Sequence, residues 1–381
     1  MVVVQGVCDA RFAPMRERLE ADLADGVDEG ASIAVVWNGE LVVDLWGGYA
    51  DLGHMVGWEA DTVVRVASTS KLVPALAAVM LWDRGLIDLD APMADYWPAF
   101  GGNGKGAVTA RQVLTHTSGV PGFGTALAPG EKAVVSWDAI LDRIERAPLW
   151  YEPGTVVCYH ALTFGHLLGG LVEHVTGKRY DEFVAEEITG PLGADFRYPR
   201  GRPGDGDRLA EHRDPETLGD LTPVPGSVGE RVFIEFLTVM AQLTEEDLMA
   251  DVHPGGNGIA NARALAQIGS IIAGRGEVNG RKYLTAKTVE EIGKEQSTGF
   301  DEFMCDTIRR GLHFALHTDT FPAPTPTTIH WGGYGGSWAT MDPASGISAA
   351  YAPNHLLLGD PQHLRQAGQW QALTDALANV G

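Results

Sequence analysis

The stretch Val66-Ala67-Ser68-Thr69-Ser70-Lys71 holds the one Ser-x-x-Lys of the chain, and a run of helix formers from Leu72 to Trp82 follows it. If Ser68 opens that helix, Lys71 lies one turn on and on the same face. An amine is then within reach of a hydroxyl. A serine hydroxyl is a weak nucleophile until a neighbouring base takes its proton, and a lysine stays charged at neutral pH unless burial lowers its pKa. A serine at a helix start also turns its backbone N–H outward, where it can be one donor of an oxyanion hole. By itself the same pattern describes an ordinary helix N-terminus with a surface lysine, so the rest of the chain has to decide.

Upstream of this stretch, Phe12, Met15, Leu19 and Leu23 recur at helical spacing among charged residues. Two strand-like runs follow, Ala31 to Trp37 and Glu40 to Trp46, joined by Asn38-Gly39, the dipeptide favoured by a tight type I′ hairpin turn. Downstream, the helix after Lys71 should run to Gly85, with Pro74 kinking it or delaying its regular part. Thr109-Ala110-Arg111-Gln112 is a capping box opening a short helix. Further helices are expected over 136–147, 161–175 and 181–188, then over 261–274 and 286–293. The pattern breaks down over 198–251, an irregular cover segment in which Pro, Gly and Asp dominate until Val228 and helical character runs from Arg231 to Leu248. Strand character returns in Arg310–His317, Thr327–Trp331, Ser337–Asp342 and Gly346–Pro353, and Leu364 to Ala378 closes the chain as a helix.

Strands at both ends with helices between them imply an α/β fold: an antiparallel sheet flanked by the terminal helices, with a mostly helical region inserted. The expected division is 1–75 with 255–381 as the sheet domain and 76–254 as the helical one. Ser68 falls near the seam, where ligand clefts form.

Composition narrows the function. The chain has 381 residues, is 45% hydrophobic, and carries a net charge of −22 from 50 acids and 28 bases. That balance argues against nucleic acid or an anionic membrane surface as a partner. Cys8, Cys158 and Cys305 are far apart and odd in number, which is no disulfide framework, and the N-terminus lacks a basic region ahead of an apolar one. A cytoplasmic setting is expected. No stretch approaches a membrane span. No glycine-rich phosphate loop follows a strand, and no His-Glu-x-x-His is present, so neither cofactor nor metal is expected. The sequence sets no oligomeric state.

Two further elements single themselves out. Tyr159 stands between the Pro153-Gly154 turn and a helix, in Cys158-Tyr159-His160-Ala161. Late in the chain, His330-Trp331-Gly332-Gly333-Tyr334-Gly335-Gly336-Ser337-Trp338 puts glycines beside a predicted strand, which makes sense where a ligand approaches the backbone.

Ser68-x-x-Lys71, Tyr159 ahead of a helix and the late glycine-rich strand, in this order, resemble the serine β-lactamase and penicillin-binding-protein superfamily. Leu114-Thr115-His116-Thr117-Ser118-Gly119, Glu152-Pro153-Gly154-Thr155 and Pro191-Leu192-Gly193 add to the likeness. Tyr159-His160-Ala161 and Trp331-Gly332-Gly333 are most similar to the family VIII carboxylesterases of the class C-like branch. The resemblance implies Ser68 as acylated nucleophile and Lys71 with Tyr159 as shared general base and acid. It implies the N–H groups of Ser68 and Tyr334 as the oxyanion hole, and Trp331, Gly332 and Gly333 as substrate-side residues.

Two departures shape the expected activity. Ala161 stands where the lactamase pattern has Asn, and Trp331 where Lys-Thr-Gly begins. Losing that lysine removes a charge-assisted contact to a penicillin carboxylate worth about 1.5–3 kcal/mol. A small neutral ester is therefore the expected substrate. A β-lactamase, a D-amino-acid-specific peptidase and an acyltransferase are the alternatives on the same scaffold, and a non-catalytic scaffold protein is a remoter one. The Lys71 charge is expected to lower the Tyr159 phenol so that the pair shares one proton.

Other candidates have plainer readings. His330 is expected as a packed strand residue, His116 and Ser118 as a helix terminus, Cys158 as a core filler, and His313 and His317 as strand residues without a metal. An α/β-hydrolase reading needs Gly-x-Ser-x-Gly, and only near misses such as Gly335-Gly336-Ser337-Trp338-Ala339 occur. Trp58, Trp97, Phe123, Trp150, Phe233, Phe236 and Trp338 are candidates for an apolar acyl pocket.

Overall fold

A computed structural model describes residues 3–124, 136–200, 208–216 and 221–380. Parts of the expected cover segment, 201–207 and 217–220, lie outside the described residues.

The organising element is a nine-stranded antiparallel sheet. Its strands run, in spatial order, Gln5–Cys8, Glu40–Gly48, Gly30–Trp37, Ile347–Pro353, Trp338–Asp342, Ile329–Gly332, Ala315–Leu316, Asp306–Arg310 and Ser297–Asp301. The first hairpin forms as the sequence predicts, with Asn38 and Gly39 both at positive φ. The strands near the middle are buried on both faces, so they read as continuous apolar runs and not as strict alternation. Ala31, Ile33 and Val35 point to one face, where Ala349, Tyr351, Trp338, Met15, Leu19, Trp370 and Leu373 form a core under the terminal helices Ala13–Ala24 and Asp360–Ala378. Ala34, Val36, Ala350 and Ala352 point to the other, which carries helix Ala262–Ala273 and the helical region.

The helical region is built around Leu72–Asp83, buried from Leu72 to Leu81 and packed against Phe164–Thr176. A helix apolar all round belongs in an interior. Pro74 sits in its first turn, where the missing N–H has no intrahelical partner to lose. The misfit expected there takes the form of a delay: a 3-10 turn, Ala67–Lys71, precedes the regular helix. The capping box at Thr109–Gln112 forms as predicted, and the helix expected over 136–147 runs Trp137–Arg146 with Ser136 as its cap. A small sheet lies at the seam, pairing Val64 and Phe196 on either side of Ala260.

Three strands of the large sheet escaped the sequence pattern, as did the short strands of the two small sheets. Gln5–Cys8 is an exposed edge strand without an apolar face. The hairpin Ser297–Asp301 and Asp306–Arg310 extends the opposite edge, and its polar residues gave no strand signal. The single strand expected over Arg310–His317 is broken at His313, which has φ of 78°.

Candidate active site

Ser68 lies in the 3-10 turn at the head of the central helix. The residue before it, Ala67, has φ of 44°, a left-handed conformation costing a non-glycine residue about 1–2 kcal/mol. The turn is held by the late strand: Ser337 Oγ donates to the Val66 carbonyl at 2.8 Å, and Thr69 Oγ1 donates to the Ser337 carbonyl at 3.1 Å. Gly333 passes so close that an added Cβ would lie 2.6 Å from the Val66 oxygen. The sequence predicts a ligand approaching these glycines; at Gly333 it is the protein's own Val66 backbone that does so. Gly332 has more room, its nearest neighbour being the Ser337 oxygen at 3.4 Å. Neither Ser68 nor Tyr334 engages its N–H in a backbone hydrogen bond to a described residue. Both amides are therefore available as donors.

Lys71 Nζ lies 3.1 Å from Ser68 Oγ and also donates to the carbonyls of Ala161 at 3.1 Å and Gly255 at 2.6 Å. Its side chain is fully buried with no carboxylate partner among the described residues, and burial brings its pKa down to about 7. The sequence left open whether this lysine is a surface group; the structure makes it an interior amine.

Tyr159 stands on an extended segment before helix Phe164–Thr176. Its ring packs against Trp331, His116 and Phe303, and Lys71 Nζ lies 4.9 Å from its centroid. The phenol hydroxyl is buried, makes no hydrogen bond among the described residues, and is faced by the side chains of Ser68 and Trp331. Burial pushes its pKa up. The expectation that the Lys71 charge would lower the phenol is overturned. Both groups are desolvated, and desolvation favours the neutral form of each: amine and phenol.

Behind Tyr159 lies a layer that sequence reasoning missed. Tyr159 N–H donates to Asp301 Oδ1 at 3.0 Å, and Asp301 Oδ2 accepts from Arg310 at 2.7 Å, with both side chains fully buried. The Arg310 guanidinium lies over the Trp331 ring, 5.7 Å from its centroid. No motif announced these residues, because Asp301 meets Tyr159 from 142 positions away in the chain and Arg310 acts only through Asp301.

The remaining candidates sort by position. His116, His160 and His313 form a buried chain: the His160 N–H donates to His116 Nδ1 at 3.1 Å, and His116 Nε2 pairs with His313 Nδ1 at 3.2 Å. Ser118 Oγ pairs with His160 Nε2 at 2.6 Å, and burial lowers the His160 pKa to about 4. His330 points away from Ser68, into the core under the C-terminal helix, with Trp370 at 4.8 Å. Cys158 is buried with its thiol pKa raised. Among the described residues no His, Cys, Asp and Glu side chains group as metal ligands.

Of the aromatic candidates, Phe233 and Phe236 pack on Phe303 and so reach the Tyr159 side of the site. Phe123 and Trp150 meet the same helix, Val228–Gln242, through Glu235 and Arg231. Trp58, Trp97 and Trp338 do not line it. Trp58 fills the space above Gly30, Trp97 packs on Phe100 and His174, and Trp338 lies in the core on the other face of the sheet.

The family described as Beta-lactamase matches residues 15–372. The chain is 32% identical over 367 residues to the esterase/beta-lactamase LipL of Mycobacterium tuberculosis, a match spanning 93% of this chain and 83% of that protein. A crystal structure of a family VIII carboxylesterase superposes with a TM-score of 0.85 at 30% identity, covering 98% of this chain and 100% of that one. A penicillin-binding-protein homologue from Caulobacter crescentus superposes with a TM-score of 0.84, also at 30% identity, covering 99% and 100%. No helix among the described residues is long and apolar enough to cross a membrane.

Proposed function

The chain belongs to the beta-lactamase family and is a serine hydrolase of its family VIII esterase group; on that premise we propose that it hydrolyses short-chain or small neutral esters through an acyl-Ser68 intermediate. The observation that carries this is the Lys71 amine, buried, near pKa 7 and 3.1 Å from Ser68 Oγ.

In the proposed cycle, neutral Lys71 takes the Ser68 proton as Oγ attacks the ester carbonyl carbon. The carbonyl oxygen becomes an oxyanion between the N–H groups of Ser68 and Tyr334. The tetrahedral intermediate collapses by breaking the bond to the alcohol oxygen, which takes its proton from the Tyr159 phenol. The Lys71 ammonium restores that proton. Water then attacks the acyl-Ser68 carbonyl, giving its proton to Lys71. Collapse expels Ser68 Oγ, which takes that proton from the Lys71 ammonium, and the carboxylic acid leaves.

Support for a neutral substrate comes from Trp331, which stands where a carboxylate-binding lysine would. The Arg310 cation beside it is fully buried and paired with Asp301, so it is not presented to a substrate carboxylate. The test is Ser68→Ala: turnover of p-nitrophenyl butyrate and labelling by a fluorophosphonate should both vanish with the fold intact. Removal of such a nucleophile costs up to about 10⁶ in kcat. Retention of more than a trace of turnover would overturn the assignment.

A further inference from the structure

Resting on the reading of Tyr159 as the group that protonates the leaving alcohol, we infer that Asp301 is a positioning residue for it. Asp301, with Arg310 behind it, fixes the backbone of Tyr159 so that the phenol faces Ser68.

The geometry is specific. Asp301 ends the strand Ser297–Asp301 at the edge of the large sheet. Its Oδ1 accepts from three amides, those of Tyr159, Phe303 and Met304, each at 3.0 Å. Around it the two chain segments are joined by a parallel bridge between Val157 and Asp301 and by the Glu302 N–H donating to the Val157 carbonyl at 3.0 Å. So the piece carrying Tyr159 is attached, main chain to main chain, to the sheet edge. The same carboxylate orients Phe303, whose ring packs 5.7 Å from that of Tyr159.

Such a support is needed because of what the phenol lacks. The Tyr159 hydroxyl closes no well-formed hydrogen bond among the described residues, with only the Ser68 and Trp331 side chains near it, so its aim depends mainly on ring packing and on its backbone. A side chain without a polar anchor at its tip depends on the anchor at its base. Arg310 makes the support rigid by holding the other carboxylate oxygen, with Asp301 fully excluded from water.

The test uses two double variants that both remove the buried cation and differ in the amide acceptor: Asp301→Ala/Arg310→Met and Asp301→Asn/Arg310→Met. Each is assayed on ethyl butyrate and p-nitrophenyl butyrate, and the first also in a Tyr159→Phe background. The first double variant should lose about 10–100-fold in kcat on ethyl butyrate, as expected for a misplaced catalytic group. It should lose much less on the nitrophenyl ester, whose leaving group departs without a proton, and KM should hold. The second double variant, which keeps an oxygen for the three amides, should regain most of the loss. In the Tyr159→Phe background the first should cost nothing further. Equal losses on both esters, or a further loss in that background, would make Asp301 a merely structural residue and overturn the inference. If Tyr159→Phe alone retains wild-type rates, the role given to Tyr159 fails first. Should near-UV circular dichroism show that the first double variant does not fold, Asp301→Asn alone replaces it. There the amide turns its oxygen to Arg310 and its NH2 to the three N–H groups. The same split between esters is expected, and its absence overturns the inference.

Discussion

Lys71 Nζ meets Tyr159 over the face of the ring, 4.9 Å from its centroid, and all three of its hydrogen bonds go elsewhere, to Ser68, Ala161 and Gly255. The two groups are neighbours, with no hydrogen bond between them among the described residues of the free protein. Burial draws the lysine down to about 7 and the phenol up, so in the proposed cycle the first serves as the base at neutral pH and the second as the neutral acid.

That separation predicts the pH profile. Ser68 deprotonation needs the neutral amine, whose fraction rises with pH. The kcat/KM for a neutral ester should therefore climb about tenfold per unit below pH 7 and level off above it. No downturn from Tyr159 should appear before pH 10, since the phenol holds its proton beyond its ordinary value of 10.0. A profile flat from pH 5 to 9 would show that Lys71 is not the base.

Tyr159→Phe keeps the ring contacts with Trp331, His116 and Phe303 and removes only the hydroxyl. Folding should be normal. The fall in kcat should be on the order of 10²–10⁴ for ethyl butyrate and smaller for p-nitrophenyl butyrate. Steady-state kinetics on the two esters measures this. Wild-type rates on both would reduce Tyr159 to a packing residue.

How much of this was legible beforehand follows from the range of each signal. The Asn38-Gly39 turn, the Thr109 capping box and Ser68-x-x-Lys71 are short-range patterns, and each appears where the sequence places it. Asp301 and Arg310 were not legible. A carboxylate that binds three amides and one arginine looks, in sequence, like any polar residue near a turn. Nor could composition separate Phe233 and Phe236, which reach the site through Phe303, from Trp58, Trp97 and Trp338, which fill cores. Burial of a large aromatic is decided by packing at long range.

Trp331 should set substrate charge. The wild type is expected to hydrolyse short neutral esters far better than carboxylated penicillins or cephalosporins. Trp331→Lys should raise relative turnover of a carboxylated substrate about 10–100-fold, the value of one charge-assisted contact. The check is the ratio of kcat/KM for a cephalosporin to that for p-nitrophenyl butyrate. An unchanged ratio would place the selectivity elsewhere.

The two glycines after Trp331 should differ sharply. Gly333→Ala drives a methyl into the Val66 carbonyl, against a 2.6 Å approach, and should both lower Tm and reduce kcat by shifting the Ser68 turn. Gly332→Ala meets nothing closer than 3.4 Å and should be tolerated. Equal effects in thermal melts and in kinetics would contradict this account of the seam.

The burial of Lys71 also bears on how such a chain evolves. In the native protein the amine binds a proton only below about pH 7, whereas the unfolded chain binds it up to about 10.5. The native state is therefore penalised fully below pH 7, and the penalty fades as pH rises toward 10.5. It amounts to a few kcal/mol, a large share of the ~5–15 kcal/mol that separates folded from unfolded proteins. A substitution such as Lys71→Met would relieve it and abolish turnover in one step. Selection for heat resistance alone would thus favour lineages that had lost the amine. At the head of a helix buried from Leu72 to Leu81, the fold thus carries an amine that lowers its own stability, and the proposed chemistry is what that amine supplies in return.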